Sequence, residues 1–456
     1  MLKKIMRSLR KPRTGRTTGP DILPFEEHGL QPDRFSRHSV NVTLRLQEAG
    51  FQAFLVGGCV RDALLGGNPK DFDVATNATP EQVRGLFRNS RIIGRRFRLA
   101  HILFGREIIE VATFRSSHTK QDAVSGRAAK DSSGRILRDN VYGTLEEDAQ
   151  RRDLTINALY YDPAQRTIHD FAGGVSDLRS KQLRLIGDPV QRYQEDPVRM
   201  LRAIRFAAMP GFELTAEAAD PIHRLAHLLE DIPAARLYEE VLKLFLNGSA
   251  ERIYLLLQEY GLFAPLFPLT VQAIEQHPEQ VGSELIRLAL RNTDTRLAEG
   301  KTVTPAFLFA ALLWPALLPE IAKWRANGLG PVAAVQKGAQ QLLPEQLQRI
   351  AIPKRFSIPM QEIWALQERL PQRHGKRAET VLGHPRFRAA YDFLLLRESA
   401  GEETGNLGQW WTQFQFAEEN DRRRMVNELG SAPGRSRKRR PRKRNTRTTE
   451  RAGAQN

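Results

Sequence analysis

The chain is poorest in cysteine. Among 456 residues there is one, Cys59. An intrachain disulfide is excluded, which suits a reducing cytoplasm, the expected location. Cys59 follows a glycine pair and reads as a small core residue, not as a nucleophile or metal ligand. Long apolar runs are also missing. Stretches such as Phe307 to Trp314 are too short to cross a bilayer, so no membrane segment is expected. The basic N-terminus is followed by no apolar stretch, so no secretory signal is visible. No internal repeat is present. Acidic residues are outnumbered, 52 against 69 Lys and Arg, which leaves a formal net charge of +17. Such a surplus favours a polyanionic partner, through phosphate contacts and counterion release. The hydrophobic fraction, 41%, is that of a globular chain, long enough for roughly two to four domains.

What is present is organised around Leu55-Val56-Gly57-Gly58-Cys59-Val60-Arg61-Asp62 and the following Pro69-Lys70-Asp71-Phe72-Asp73-Val74. Phe54 to Val56 is apolar and ends at glycines, as a core strand should. Gly57 and Gly58 have no Cβ, so a phosphate can approach the backbone amides there. Arg61 lies within the next helix, in reach of the same phosphates. Asp71 and Asp73 are two apart, and on a strand they project from one face. Paired carboxylates need a cation, and hard oxygen ligands suit Mg²⁺ or Mn²⁺. A phosphate-holding turn before such a pair points to metal-dependent nucleotidyl transfer. Two ions about 3.5–4 Å apart would clamp the attacking and leaving oxygens.

LVGGCVRDALLG followed by PKDFDVATNATPEQV resembles the nucleotidyltransferase head of the bacterial poly(A) polymerase and CCA-adding enzyme family. The resemblance implies an α+β fold. A small polymerase-β-like head, a mixed sheet with helices, precedes an all-helical neck and body and a disordered basic tail. It implies that Gly57, Gly58, Arg61 and Lys70 bind the nucleotide, and that Asp71 and Asp73 bind two magnesium ions. Glu110, an acid inside the apolar strand Ile108 to Thr113, matches the family's further acid. The segment Arg151-Arg152-Asp153-Leu154-Thr155-Ile156-Asn157 matches its R-R-D-x-T-I-N motif. By that match Asp153 joins Asp71 and Asp73 as a catalytic acid, and Arg151, Arg152 and Asn157 hold the nucleotide. Glu110 and Asp153 thus compete for the place of third metal ligand. Glu195-Asp196-Pro197-Val198-Arg199 resembles the base-recognition helix. There Asp196 and Arg199 face the base, and Arg202 and Arg205 continue the ridge at every third residue. In this family protein side chains, not a template, choose the base. The run Gly94-Arg95-Arg96-Phe97-Arg98-Leu99-Ala100-His101 resembles the poly(A) polymerase branch. Its Arg95, Arg96 and Arg98 are expected to pair RNA phosphates around a stacking phenylalanine.

The rest of the chain follows in order. Residues 1–35 read as a flexible basic arm, 36–185 as the head, 186–270 as the neck and 271–430 as an RNA-binding helical body. Ser39 to Ala49 reads as an amphipathic helix. Thr79-Pro80-Glu81 is a helix start. Arg115 to Asn140 has no period and reads as a mobile loop. Ile168-His169-Asp170-Phe171-Ala172-Gly173-Gly174 reads as a strand end before a glycine turn, not as a phosphohydrolase metal motif. Pro305 to Pro315 is a core helix. Trp410 and Trp411 read as packing residues. Residues 431–456 lack any hydrophobic period. There Arg437, Lys438, Arg439, Arg440, Arg442, Lys443 and Arg444 crowd one stretch, too dense in like charge to pack, and RNA is the expected partner.

The expected activity is template-independent addition of AMP from ATP to RNA 3′ ends, with two Mg²⁺ or Mn²⁺ ions. Its setting is mRNA polyadenylation and RNA turnover, with RNA-degradation proteins as further partners. The alternatives are CCA addition to tRNA and, in another class, a non-catalytic RNA-binding protein. The tail gives a first test. Truncation before Ser431 is expected to weaken RNA binding and flatten its salt dependence, by about 0.7 in log–log slope for each phosphate that the tail neutralises. Filter binding at several salt concentrations measures it. An unchanged slope assigns the tail to another partner.

Overall fold

The computed structural model describes residues 19–94, 98–116, 128–130, 136–139, 141–278 and 281–430. The expectations for Arg95, Arg96, Phe97 and the tail from Ser431 lie outside the described residues.

Among the described residues, eight strands form one mixed sheet. In chain order they are β1 (Asp21–Leu23), β2 (Ala53–Val56), β3 (Phe72–Thr76), β4 (Ser90–Ile93), β5 (Leu99–Phe104), β6 (Glu107–Thr113), β9 (Leu159–Asp162) and β10 (Thr167–Asp170); β7 (Ala128–Lys130) and β8 (Ile136–Asp139) pair separately. The order across the sheet is β1-β10-β9-β2-β3-β6-β5-β4. Only β3 and β6 run parallel within it. A parallel pair needs a crossover. The Pro80–Leu86 helix and the β4–β5 hairpin supply it. Thr79 and Gln82 cap that helix reciprocally.

Alternation sorts the two faces of the sheet. Val74, Ile109, Val111, Ala100 and Ile102 join the main core with Val42 and Leu46 of the Arg37–Glu48 helix. The opposite face carries a smaller cluster of Phe54, Val56, Ala75, Phe114 and Tyr160. The fold is the expected α+β, this head and then helices from Pro189 onward, except that the neck is not all-helical: the short strand Glu213–Leu214 pairs in parallel with Gln182–Leu183.

Four further expectations are corrected. The arm is shorter than residues 1–35. β1 is the edge strand and pairs with β10, and Leu30 and Phe35 are buried, Phe35 stacked on Tyr161 at 4.9 Å between ring centroids. These apolar residues are too sparse for a local period, so tertiary contact places them. The segment 115–140 is not plain loop, since β7 and β8 pair antiparallel within it. Backbone pairing needs no apolar pattern to form. The base-recognition segment is two helices, Pro189–Glu195 and Val198–Ala207. Pro197 denies Asp196 the helical region, and Asp196 takes an extended conformation at φ −150° and ψ 92°. Last, the core helix runs on past Pro315 and Pro319, as Pro305–Ala326. Its residues are buried almost all round, and packing overrides the two prolines. This helix alone among the described residues is long and apolar enough to cross a membrane, but 67% of its apolar window is buried inside the protein. It packs on the helices Pro268–Gln276, Gly282–Ala298, Pro331–Arg349 and Lys354–Gln367.

Two other readings meet their structural outcome here. Trp411 is fully buried and its indole N–H donates to the Leu370 carbonyl at 3.0 Å. Trp410 stacks on Phe414. Asp170, in the His-Asp dipeptide, is a turn residue. Its carboxylate accepts the backbone N–H groups of Ala172, Gly174 and Val175 at 2.9–3.1 Å. Asp170→Asn turns one acceptor into a donor facing these amides. A loss of about 1–2 kcal/mol in urea unfolding is expected. An unchanged midpoint would refute the turn role.

Candidate active site

The site is built on one row of the sheet. Tyr160 of β9 lies opposite Val56 of β2, Val56 opposite Asp73 of β3, Asp73 opposite Glu110 of β6, and Glu110 opposite His101 of β5. Residues in register share a face, so the two carboxylates stand side by side. Asp71 lies just before β3 and is exposed. Asp73 opens to the cleft but is crowded by protein. That burial, with the charges of Glu110 and Asp71 and against the pull of Arg152, pushes its carboxyl up to about 6. Glu110 lies 3.2 Å from the His101 ring. The structure thus groups Glu110 with Asp73.

Asp153 has other partners. Its carboxylate accepts from Arg202 Nε at 2.6 Å, from the Asn157 amide at 3.1 Å and from the Leu154 backbone N–H at 2.8 Å. Burial pushes this carboxyl up, but Arg202 and these hydrogen bonds outweigh it and hold it below the usual carboxylate range. Asn157 in turn accepts from Arg61 Nη1 at 2.6 Å. Arg61 is buried, bonded to Asp62, and its guanidinium lies over Phe206 at 4.8 Å. The chain Arg61–Asn157–Asp153–Arg202 therefore crosses from the glycine-turn helix to the neck.

Gly57 is in the left-handed half of backbone space, with φ 77°. A Cβ there would stand 3.6 Å from Arg152 Nη1 and 3.8 Å from the Asn157 carbonyl oxygen. The bare turn leaves this corner open for a ligand.

Around the corner, arginines crowd together. Burial and the neighbours Arg115, Arg192, Arg199 and Arg152 push Arg151 down to about 9. Burial and Arg199 push Arg192 down to about 10. Both groups stay protonated, but burial and like charge make them costly to hold together without further negative charge. A triphosphate would supply it.

The remaining expected residues divide. Asp196 accepts from Arg236 at 2.7 Å through Oδ2, while its buried Oδ1 has no hydrogen-bond partner. Arg199 is turned inward, to the Arg192 carbonyl and to Glu195. Arg205 lies against Phe206. Lys70 is exposed before β3. Arg98 pairs with Glu81. Sequence reasoning missed Arg192, whose guanidinium donates to the Arg151 and Arg152 carbonyls, and Arg236. It also missed Asp148 and Tyr160, which bond Arg152. Asp148 lies only four residues from Arg152, a spacing that could have flagged the pair, whereas the other contacts span 8 to 41 residues.

Three family models match the chain: the poly A polymerase head domain over residues 53–184, the probable RNA and SrmB-binding site of polymerase A over 211–274, and the polymerase A arginine-rich C-terminus over 327–445. Poly(A) polymerase I of Escherichia coli O6:H1 is 49% identical over 427 residues, 93% of this chain and 92% of its own. This chain belongs to the poly(A) polymerase I family. The Haemophilus influenzae relative of the same name is 45% identical, over 93% of this chain and 95% of its own. The CCA-adding enzyme of Bacillus pumilus is 38% identical, but only over 50% of this chain and 54% of its own. A crystal structure of the Bacillus stearothermophilus CCA-adding enzyme in complex with CTP shares the fold, with TM-score 0.55 at 24% identity, over 88% of this chain and 83% of that one.

The crowded carboxylates have a measurable consequence. With its pKa raised to about 6, charged Asp73 costs the metal-free fold stability above that pH, and the cost is relieved as pH falls through 6 towards 4. Asp73→Asn is expected to stabilise the protein in EDTA at pH 7.5, by about 1 kcal/mol after allowance for the open side of the group. The wild type gains roughly half of that increment on going to pH 5, and the variant does not. Thermal melts at both pH values measure it. A variant less stable than the wild type at pH 7.5 would contradict the account.

Proposed function

We infer that this enzyme is a polynucleotide adenylyltransferase that adds AMP from ATP to RNA 3′ ends without a template. The observation that carries the choice within the family is coverage. Sequence similarity to the poly(A) polymerases extends through neck, body and arginine-rich C-terminus, whereas sequence similarity to the CCA-adding relatives covers half of the chain.

Asp71, Asp73 and Glu110 would hold Mg²⁺ or Mn²⁺. Among the described residues no three His, Cys, Asp or Glu side chains close into an ion cage. An open site is consistent with the reaction, because Mg²⁺ is commonly held by one or two carboxylates together with substrate phosphates. The high pKa of Asp73 fits a carboxylate that lacks its cation. When bound, the ions would activate the RNA 3′-hydroxyl and stabilise charge on the departing pyrophosphate. Glu110 takes the place of third acid, since it adjoins Asp73 in register while Asp153 is held by Arg202. Asp153 then fixes Asn157, and through it Arg61, around the nucleotide.

Gly57, Gly58, Arg61, Arg151 and Arg152 hold the triphosphate. Asp196 Oδ1 is a buried acceptor without a donor, a state that costs about 1–3 kcal/mol. The amino group of a base would satisfy it. Adenine and cytosine both carry one, so the choice of ATP depends on how firmly the pocket is held. Arg236 on Asp196 and Glu195 on Arg199 hold it. RNA reaches the site over the basic neck, body and tail. Cytoplasmic location and contact with RNA-degradation proteins belong to the same proposal.

The test is to incubate the purified protein with an oligoribonucleotide, Mg²⁺ and each nucleoside triphosphate separately. Long A tails and poor use of CTP are expected. Asp71→Ala and Asp73→Ala should lose about 10³-fold or more in rate, the scale for removing charge stabilisation in a transition state. RNA binding should remain. Addition of C, C and A to a trimmed tRNA, followed by a stop, would make it a CCA-adding enzyme.

A further inference from the structure

Asp148 has no part in the chemistry above, yet it is buried and fully used. Its Oδ1 accepts the backbone N–H of Arg115 at 3.2 Å, just past the end of β6. Its Oδ2 accepts the Tyr160 hydroxyl at 2.7 Å and Arg152 Nη2 and Nε at 3.0 and 3.3 Å. The Tyr160 hydroxyl, which donates to Asp148, accepts from Arg152 Nε at 2.8 Å. The guanidinium also lies over the Tyr160 ring, at 5.1 Å. Two of the three guanidinium nitrogens are thereby engaged. The third, Nη1, is the one beside Gly57.

We propose that Asp148 and Tyr160 are positioning residues that hold the Arg152 guanidinium beside Gly57 and so set the affinity for the phosphates of the incoming nucleotide. The proposal rests on the reading of Gly57 and Arg152 as phosphate-binding. An arginine side chain has many rotamers, and fixing one before the ligand arrives removes that ordering cost from binding. The clamp also fixes position relative to the acids. Tyr160 stands in the same row of the sheet as Asp73 and Glu110, and Asp148 is tied to the strand end that follows Glu110. The phosphate arm and the carboxylates are thus held on one rigid frame.

Tyr160→Phe removes only the hydroxyl. The expected result is about a ten-fold weaker dissociation constant for ATP and for inorganic pyrophosphate, the usual worth of a hydrogen bond to a charged group. Adenosine should bind as before. In steady state the loss should fall on KM for ATP rather than on kcat. Asp148→Asn, which keeps the size and one acceptor, should shift the same constants in the same direction; it serves if Tyr160→Phe melts below the assay temperature. Arg152→Lys is measured alongside. If it weakens pyrophosphate and Tyr160→Phe and Asp148→Asn do not, the clamp is wrong. Equal losses for adenosine and ATP would also refute it. If Arg152→Lys leaves pyrophosphate binding intact, the phosphate-binding reading itself fails, and the clamp with it.

Discussion

Two carboxylates forced side by side are the constraint on which this structure depends. Asp73 and Glu110 face one another because β3 and β6 pair in parallel at that register. A slip of one residue in either strand would turn its acid into the apolar core and bring Val74 or Val111 out. The buried face therefore fixes the register, and the register fixes the acids. The repulsion that results is a standing cost to the free protein. It is tolerated because hydrophobic burial on the far face of the same strands is far larger. A cation would turn the cost into binding energy.

A second arrangement joins the head to the neck. Arg61, Asn157, Asp153 and Arg202 form an unbroken series of short contacts, and both arginines lie over Phe206. Asp153 is the only acid in that series, and it satisfies two elements at once. Its removal would leave Arg202 buried without its partner, which is costly. This explains why an acid in a nucleotide-binding motif need not touch a metal. Its charge ties the helix after the glycine turn, through Asn157 and Arg61, to the helix that follows Asp196.

Much of this was legible in the chain. Strand, glycine turn and paired aspartates were readable because each has a local signature: an apolar run, absent Cβ atoms and a spacing of two. Glu110 was readable as an acid inside an apolar strand, although its register against Asp73 was not. The helix break at Asp196 was missed because the resemblance carried one helix across Pro197. The edge strand Asp21–Leu23 was missed because a three-residue strand has no period to detect. Arg192, Arg236, Asp148 and Tyr160 stayed hidden for other reasons. Arg192 and Arg236 act on residues about 40 apart in sequence, which single-sequence patterning does not reveal, while Asp148 stands four residues before Arg152, a spacing that was open to reading and was passed over.

The placement of Asp148 resolves an electrostatic problem in the site. Arg152 is close enough to Asp73 to lower its pKa, and unrestrained it would move toward that carboxylate. Such an ion pair would neutralise the acid and take the place of the cation. Under the proposed clamp, Asp148 and Tyr160 oppose this by engaging Nε and Nη2. The same separation holds for Arg202, which is bound to Asp153, and for Arg199, which is bound to Glu195. Each of these three arginines is thus paired with an acid other than Asp73 or Glu110, Arg199 sharing Glu195 with Arg192. The row that carries Asp73 and Glu110 keeps its negative charge, and the corner of Gly57 and Arg152 beside it keeps its positive charge. A nucleotidyl transfer site needs both at once, and only competing partners for the arginines keep them from cancelling.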